Sequence, residues 1–293
     1  MSLFEGCATA LITPFTPDGV DFSSLEKLLE FQIEGGIDGL VICGTTGEPS
    51  TMTDAEKTAV IKFAVEKVGG RVPVIAGSGG NNTAEVIAKS KAYADLGVDG
   101  LLVVTPYYNK CTQKGLVEHY SAVARSVDIP IICYNVPGRT GVNLLPATFK
   151  EIAAIDNIDG IKEASGNMDQ ITDCARCCQG LACVYSGDDG IAVPVMSVGG
   201  KGLISVASNI MPRYMHDMIK AYLGGDTLKA AEMQLNVYPL VKALFSEVNP
   251  IPAKKAASFM GLCSDYVRLP LTVMEEANAQ KLYTQMKGLQ LVK

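Results

Sequence analysis

One short motif recurs along the chain and restricts its fold more than any other feature. The segments GIDGLVIC, GVDGLLVV and NIDGIKEA begin at Gly36, Gly97 and Asn157, at intervals of about 60 residues. GGKGLISV, which begins at Gly199, is a degenerate fourth copy. Recurrence on this scale indicates a supersecondary unit that is repeated along the chain.

Further apolar runs lie between these copies and complete a set of eight predicted strands. They are CATALITPF near the start, RVPVIAGS from Arg71, DIPIICYN from Asp128 and LACVYSG from Leu181. Helical patterns fill the gaps. The first is predicted to begin at a serine cap in DFSSLEKLLEF, and the second at Thr53 or Asp54. Strands that read as continuous apolar runs, alternating with helices, predict a parallel sheet covered by helices.

Eight such units within about 225 residues favour an α/β fold of the closed (β/α)8 type, a TIM barrel. The alternative is an open doubly wound sheet, which normally carries a glycine-rich phosphate turn after its first strand, and TPFTPDG is not such a turn. After Gly224 and Gly225 the strand signal ends and helical patterns follow. We therefore predict a catalytic barrel over residues 1–225 and a C-terminal helical region over residues 226–293.

Charge and apolar pattern limit the class of partner. The net charge of the 293 residues is −6 and there is no basic run, which argues against nucleic acid. No uncharged apolar run approaches the roughly 18–20 residues that span a bilayer, and the N-terminus does not resemble a signal peptide. We expect no membrane partner and a cytoplasmic location.

The chain contains nine cysteines and two histidines. An odd number of scattered cysteines fits reduced thiols. The cluster in CARCCQGLAC fits a helix face and the next strand better than a metal site, because no histidine is near it; its members are Cys174, Cys177, Cys178 and Cys183. His119 and His216 both lie in helical patterns, which weakens any hydrolase proposal based on histidine.

Lys162 lies inside the predicted sixth strand, where an ammonium group is costly to bury. Desolvation lowers the pKa of a buried lysine, and a neutral amine is a nucleophile for a ketone or an aldehyde. The iminium that results withdraws electrons from the adjacent carbon. The alternative is a structural ion pair with Glu163 or Asp188, although strand alternation turns Glu163 to the opposite face.

Other polar residues follow the predicted strands at the end where barrel enzymes place their active sites. Tyrosine can relay protons, the Thr45–Thr46 pair offers donors to a carboxylate, and Arg139 offers a fork to a second carboxylate. Each also has a plainer interpretation: GTTGE as a turn with a cap, GSGGNN as a flexible loop, SGDDG as a turn, and Tyr107 with Tyr108 as an aromatic subunit contact.

Five of these motifs together resemble one known family. GTTGE, TPYYNK, YNVPGRTG, GIKEASGN and SGDD stand in the order found in the dihydrodipicolinate synthase family, and the resemblance covers nearly the whole chain. GTTGE and the lysine of the sixth strand are shared with a wider superfamily of pyruvate lyases and aldolases that includes N-acetylneuraminate lyase. The segment NVPGRT is what points to the synthase family.

The resemblance implies that pyruvate condenses with L-aspartate-4-semialdehyde through a Schiff base on Lys162. The product would be 4-hydroxy-tetrahydrodipicolinate, on the route to diaminopimelate and lysine. No metal or organic cofactor would be needed, and the assembly would be a homotetramer built as a dimer of dimers. The implied proton relay is Tyr134 with Thr45 and a Tyr108 supplied by the neighbouring subunit. The implied binding residues are Thr45 and Thr46 for the pyruvate carboxylate, Arg139 for the second carboxylate, and Gly187 with the Ile204 backbone around the lysine.

The resemblance also implies a possible allosteric lysine site near Asn81, Glu85 and Tyr107. Members that lysine inhibits often carry histidine where this chain has Asp54 and Lys57. Because the Lys57 cation would lie near the ammonium of the ligand, we expect lysine inhibition to be weak or absent.

Two alternatives remain open at the level of the sequence. A sister aldolase acting on N-acetylneuraminate or a keto-deoxy sugar acid would share Lys162 and Tyr134, but Arg139 argues against it. A barrel that binds a small molecule without turnover would be expected to have lost Lys162, Tyr134 or the threonines, and all are present.

Overall fold

In the computed structural model, which describes residues 2–293, eight parallel strands close into a barrel. The strands are β1 (Gly6–Ala10), β2 (Gly39–Ile42), β3 (Val74–Gly77), β4 (Gly100–Val104), β5 (Ile131–Asn135), β6 (Ile158–Glu163), β7 (Cys183–Ser186) and β8 (Gly202–Ser205). β8 pairs with β1, so the sheet has no free edge. The predicted TIM barrel is confirmed, and each of the eight predicted segments overlaps one strand.

Helices cover the outside of the barrel and form the C-terminal part of the chain. They are α1 (Phe22–Glu34), α2 (Asp54–Val68), α3 (Thr83–Asp95), α4 (Gln113–Ala124), α5 (Pro137–Thr140), α6 (Pro146–Ile152), α7 (Met168–Cys177), α8 (Ala192–Ser197), α9 (Pro212–Leu223), α10 (Thr227–Leu244), α11 (Ile251–Phe259) and α12 (Glu276–Gly288). A two-stranded hairpin, Phe15–Thr16 with Gly19–Val20, follows β1 and was not predicted.

The caps of the first two helices differ in how well the sequence predicts them. Thr53 caps α2 in a capping box with Glu56, as the sequence indicates. The serine cap predicted for α1 is wrong, because Asp21 is the N-cap and its carboxylate accepts hydrogen bonds from the backbone N–H and the hydroxyl of Ser24. The Asp21 carboxylate thereby satisfies the Ser24 N–H, one of the backbone donors that the first turn leaves without a helical partner.

Strand alternation divides the buried side chains into two layers. Ile132, Tyr134 and Ile204 belong to an inner cluster inside the barrel, whereas Cys133 and Ile161 pack outward against the helices. Phe4 stacks on Tyr185 at the N-terminal end of the barrel, with ring centroids 4.5 Å apart. Lys162 and Tyr134 lie instead near the C-terminal ends of their strands, where barrel enzymes place their active sites.

The three C-terminal helices pack on the barrel helices in one shared apolar cluster. Leu240 of α10, Ala253 of α11 and Leu282 of α12 are buried in the cluster that also contains the barrel helices. The division of the chain between residues 225 and 226 stays a prediction. Across residues 2–293, none of the helices combines the length and the apolar character needed to cross a bilayer.

Candidate active site

Lys162 lies inside the barrel, one residue before the end of β6. It pairs in register with Tyr134 of β5 on one side and with Tyr185 of β7 on the other, and only 5% of it is exposed. Its Nζ lies 4.4 Å from the centroid of the Tyr134 ring. The adjacent Glu163 faces outward and accepts a hydrogen bond of 2.9 Å from the Asn135 side chain.

No carboxylate in the described residues 2–293 forms an ion pair with the Lys162 amine. Burial lowers the pKa of Lys162 from its ordinary value of 10.5 to about 8. The negative charge of Asp189 opposes this fall in pKa, and the Arg139 cation adds to it. At neutral pH a pKa near 8 leaves about one molecule in ten with a neutral, nucleophilic amine.

Gly187 follows β7 and makes room for the lysine. A Cβ at this position would lie 3.1 Å from Cε of Lys162 and 2.7 Å from Cβ of Ala164. Both distances are too short for an ordinary carbon contact. The missing side chain is therefore what allows Lys162 to lie extended toward the end of the barrel.

Tyr134 occupies the wall of the site beside the lysine. Burial raises the pKa of Tyr134, and the Arg139 cation and the Thr45 hydroxyl both oppose that rise. A buried phenol with a hydroxyl neighbour can pass a proton along without ionising fully at neutral pH.

The C-terminal segment contributes a residue to the site that the sequence argument did not identify. Nδ2 of Asn249 donates to Oγ1 of Thr46 over 2.9 Å, and the Asn249 carbonyl accepts from the Arg139 guanidinium over 3.2 Å. Oδ1 of Asn249 is buried and has no hydrogen-bond partner among residues 2–293. A possible sequence signal was the break in the helical pattern at Asn249–Pro250, between α10 and α11.

A cavity of about 330 Å³ opens at the C-terminal end of the barrel and joins these groups. Its walls include Lys162, Tyr134, both threonines, Arg139, Gly187 and Asn249, together with Asp188, Lys242 and Tyr238 at the mouth. An amine, a phenol, hydroxyl donors and two cations thus face one volume large enough for a small carboxylic acid.

A second cavity of about 500 Å³ lies beside the first. It contains the three residues of the predicted allosteric site, Asn81, Glu85 and Tyr107. Thr45, Tyr134 and Arg139 line both cavities. Lys57 also faces the second cavity, where its Nζ is held 2.6 Å from the Asp54 carboxylate.

Two predicted site residues lie apart from the catalytic cavity in this single chain. Tyr108 is 90% exposed on the loop after β4 and lines neither cavity. The Ile204 side chain of β8 is fully buried in the inner cluster, and Val206, two residues further along, lines the cavity. The role of the Ile204 backbone stays a prediction.

The cysteine cluster forms part of the helix–strand packing. Cys174 and Cys178 are buried at the end of α7, and all nine cysteines are unpaired. Within residues 2–293, no three or more His, Cys, Asp or Glu side chains are grouped in a way that could hold a metal ion.

Comparisons with known proteins agree over the full length of the chain. The model of the dihydrodipicolinate synthetase family matches residues 3–289. The chain is 51% identical to a 4-hydroxy-tetrahydrodipicolinate synthase of Clostridium tetani, with 100% of each chain covered. It is 45% identical to the solved dihydrodipicolinate synthase of Aquifex aeolicus, with a TM-score of 0.96 and coverage of 98% and 99%. It is 44% identical to the chloride-inhibited dihydrodipicolinate synthase of Acinetobacter baumannii, solved in complex with pyruvate, with the same TM-score and coverage.

Proposed function

The chain belongs to the dihydrodipicolinate synthetase family, and from this membership we propose that it condenses pyruvate with L-aspartate-4-semialdehyde. The product is 4-hydroxy-tetrahydrodipicolinate, which is used to make diaminopimelate and lysine. The observation that carries the proposal is the unpaired, buried amine of Lys162, which opens into a cavity lined by carboxylate-binding groups. A sister aldolase acting on a sugar acid is not favoured, because the compared relatives are named as synthases.

The first stage forms a Schiff base between pyruvate and Lys162. The neutral Nζ attacks the C2 ketone of pyruvate to give a carbinolamine, whose hydroxyl takes up a proton and leaves as water. The lowered pKa of Lys162 supports this role, since the ammonium form has no lone pair with which to attack.

Proton transfers in this stage pass through Tyr134. Its phenol lies against the lysine and near the Thr45 hydroxyl, which supports a relay from the reacting oxygen to Thr45. Tyr108 of a second subunit completes the relay in our proposal. The exposure of Tyr108 supports this assignment, because its side chain lines neither cavity of its own chain and is accessible to a second subunit.

Two anion-binding positions orient the substrates. Thr46 and Thr45 receive the carboxylate of pyruvate through hydroxyl and backbone donors, and Gly187 with the Ile204 backbone shapes the space around the imine. Arg139, at the mouth of the cavity, receives the carboxylate of the semialdehyde. No metal or organic cofactor takes part in these steps.

The second stage forms the carbon–carbon bond and closes the ring. Loss of a proton from the methyl group of the iminium gives an enamine, whose carbon attacks the aldehyde carbon while the aldehyde oxygen gains a proton. The amine of the semialdehyde then attacks the iminium carbon and releases the Lys162 amine. Each turnover therefore returns the lysine unchanged.

We further propose a homotetramer, a dimer of dimers, in which the dimer is the smallest complete catalytic unit. A cytoplasmic location is supported by the nine unpaired thiols, which suit a reducing compartment. The second cavity is the proposed site for lysine. Asn81, Glu85 and Tyr107 line it and offer hydrogen-bond acceptors and a carboxylate to an amino acid.

Reductive trapping tests the proposed chemistry directly. Incubation with pyruvate and borohydride, followed by intact mass and peptide mapping, is expected to find one reduced pyruvate adduct, on Lys162. Lys242→Met is the matched control, because it removes another amine of the same cavity and must leave the adduct unchanged. An adduct on a different residue, or no adduct at all, contradicts the proposal.

A further inference from the structure

The loop that carries Thr45 and Thr46 depends on Glu48. The loop forms a single 3-10 turn, Thr45–Gly47, and the backbone N–H of Glu48 closes it by donating to the Thr45 carbonyl over 3.2 Å. Glu48 has a φ of 55°, in the left-handed region that costs a residue with a side chain energy. Such a conformation persists only where the surroundings hold it.

The Glu48 side chain is held by a lysine of the C-terminal helices. Its carboxylate lies 2.5 Å from Nζ of Lys254 in α11, and Lys254 is 0% exposed. The same Nζ donates to the Tyr266 carbonyl over 2.9 Å and lies 4.2 Å from the centroid of the Phe15 ring. The free-energy cost of desolvating both charges offsets much of the gain from pairing them, and apolar residues of similar volume often stabilise a fold equally well.

Other contacts from the C-terminal segment reach the two sides of Glu48. Asn249 donates to the Thr46 hydroxyl, and the Arg268 guanidinium donates to the Thr51 carbonyl over 2.9 Å. Residues 249–268 therefore contact the loop before, at and after Glu48. The helical region beyond the barrel forms one wall of the site as well as part of the fold.

We propose that the buried Glu48–Lys254 pair is a positioning element that holds Thr45 and Thr46 in place for the carboxylate of pyruvate. Neither residue lines the catalytic cavity, so both act through the threonine loop. The inference rests on the proposed function, in which these threonines bind that carboxylate. This positioning role differs from that of an ion pair that only stabilises the barrel.

The test is the double variant E48Q/K254M, which removes both charges together and leaves no unpaired buried charge. We expect the KM for pyruvate to rise about tenfold, which corresponds to about 1.4 kcal/mol of lost binding. The KM for L-aspartate-4-semialdehyde should change less than about twofold, and borohydride trapping at saturating pyruvate should still modify Lys162 fully. If the double variant is not recovered folded, E48D is measured instead, because it keeps both charges and only shortens the side chain that reaches Lys254; it should raise the KM for pyruvate in the same direction by a smaller factor.

The matched control is K255M/D265N. It neutralises a neighbouring ion pair of 2.8 Å between α11 and the following loop, which does not touch the threonine loop. This variant should keep the wild-type KM for pyruvate. An unchanged KM for pyruvate in E48Q/K254M, or an equal loss for both substrates, overturns the positioning role. An inactive wild-type protein that pyruvate does not modify would instead overturn the proposed function.

Discussion

Replacement of Lys162 by methionine should abolish catalysis and at the same time make the fold more stable near neutral pH. The pKa of Lys162 falls from 10.5 in the unfolded chain to about 8 in the folded one. The folded state therefore binds fewer protons between these two values, and the stability of the wild-type protein increases as the pH rises through this window. Below pH 8 the wild-type protein bears the full cost of a buried ammonium.

The size of the effect follows from the two pKa values. Each tenfold change in proton affinity is worth about 1.4 kcal/mol, so the buried ammonium lowers the free energy of unfolding by about 3 kcal/mol at pH 7. At pH 9.5 the folded-state amine is already neutral and about 1.4 kcal/mol remains. We expect the advantage of the methionine variant to fall by about 2 kcal/mol between these two pH values.

Urea unfolding of both proteins at pH 7 and at pH 9.5, at one protein concentration, measures this difference. A packing change caused by methionine adds the same offset at both pH values, so the change with pH isolates the charge. Lys242→Met is the control, because it removes an exposed amine of the same cavity and leaves the buried amine in place. A stability difference that does not vary with pH would refute the claim that the Lys162 amine is desolvated in the folded state.

Three further predictions concern the site and its neighbours. Gly187→Ala should slow Schiff-base trapping at least about tenfold with the fold retained, because the added Cβ meets the lysine. Gly138→Ala, which adds a Cβ in open space, should not slow trapping. Equal trapping rates for the two variants would contradict the proposed crowding. Co-expression of Tyr108→Phe with Lys162→Ala chains should recover up to about a quarter of wild-type activity. Random pairing makes about half of the dimers mixed, and each mixed dimer keeps one of its two sites intact. No recovery above the separate variants would count against a shared site. Millimolar L-lysine should reduce the initial rate of the wild-type protein only weakly. Lys57→Gln should increase the inhibition, because it removes a cation from the second cavity. Strong inhibition of the wild-type protein would refute the expected effect of Lys57.

The barrel was predictable because its signals are local. The four copies of the repeated motif begin the even-numbered strands, and the apolar runs between them supply the others, so eight segments could be recognised without any contact information. Lys162 was recognisable for the same reason, since a charge within an apolar strand stands out at once. Alternation then fixes its side: Cys133 and Ile161 face the helices, and Tyr134 and Lys162 face inward.

The contacts between distant parts of the chain were not predictable. Asn249 and Lys254 reach the threonine loop only because α10 and α11 fold back over the end of the barrel, and no spacing rule links positions about 200 residues apart. Ile204 and Val206 show a smaller limit of the same kind. Both are apolar residues at the end of one strand, and only the way that strand ends determines which of them lines the cavity.

The two cavities share part of their walls, because Thr45, Tyr134, Val136 and Arg139 line both of them. A chemist could therefore connect a keto-acid group for the Lys162 cavity to an amino-acid group for the neighbouring cavity with a short linker. Such a tethered molecule would displace the tyrosine from between the two chambers, and a protein with only one of these chambers could not hold it.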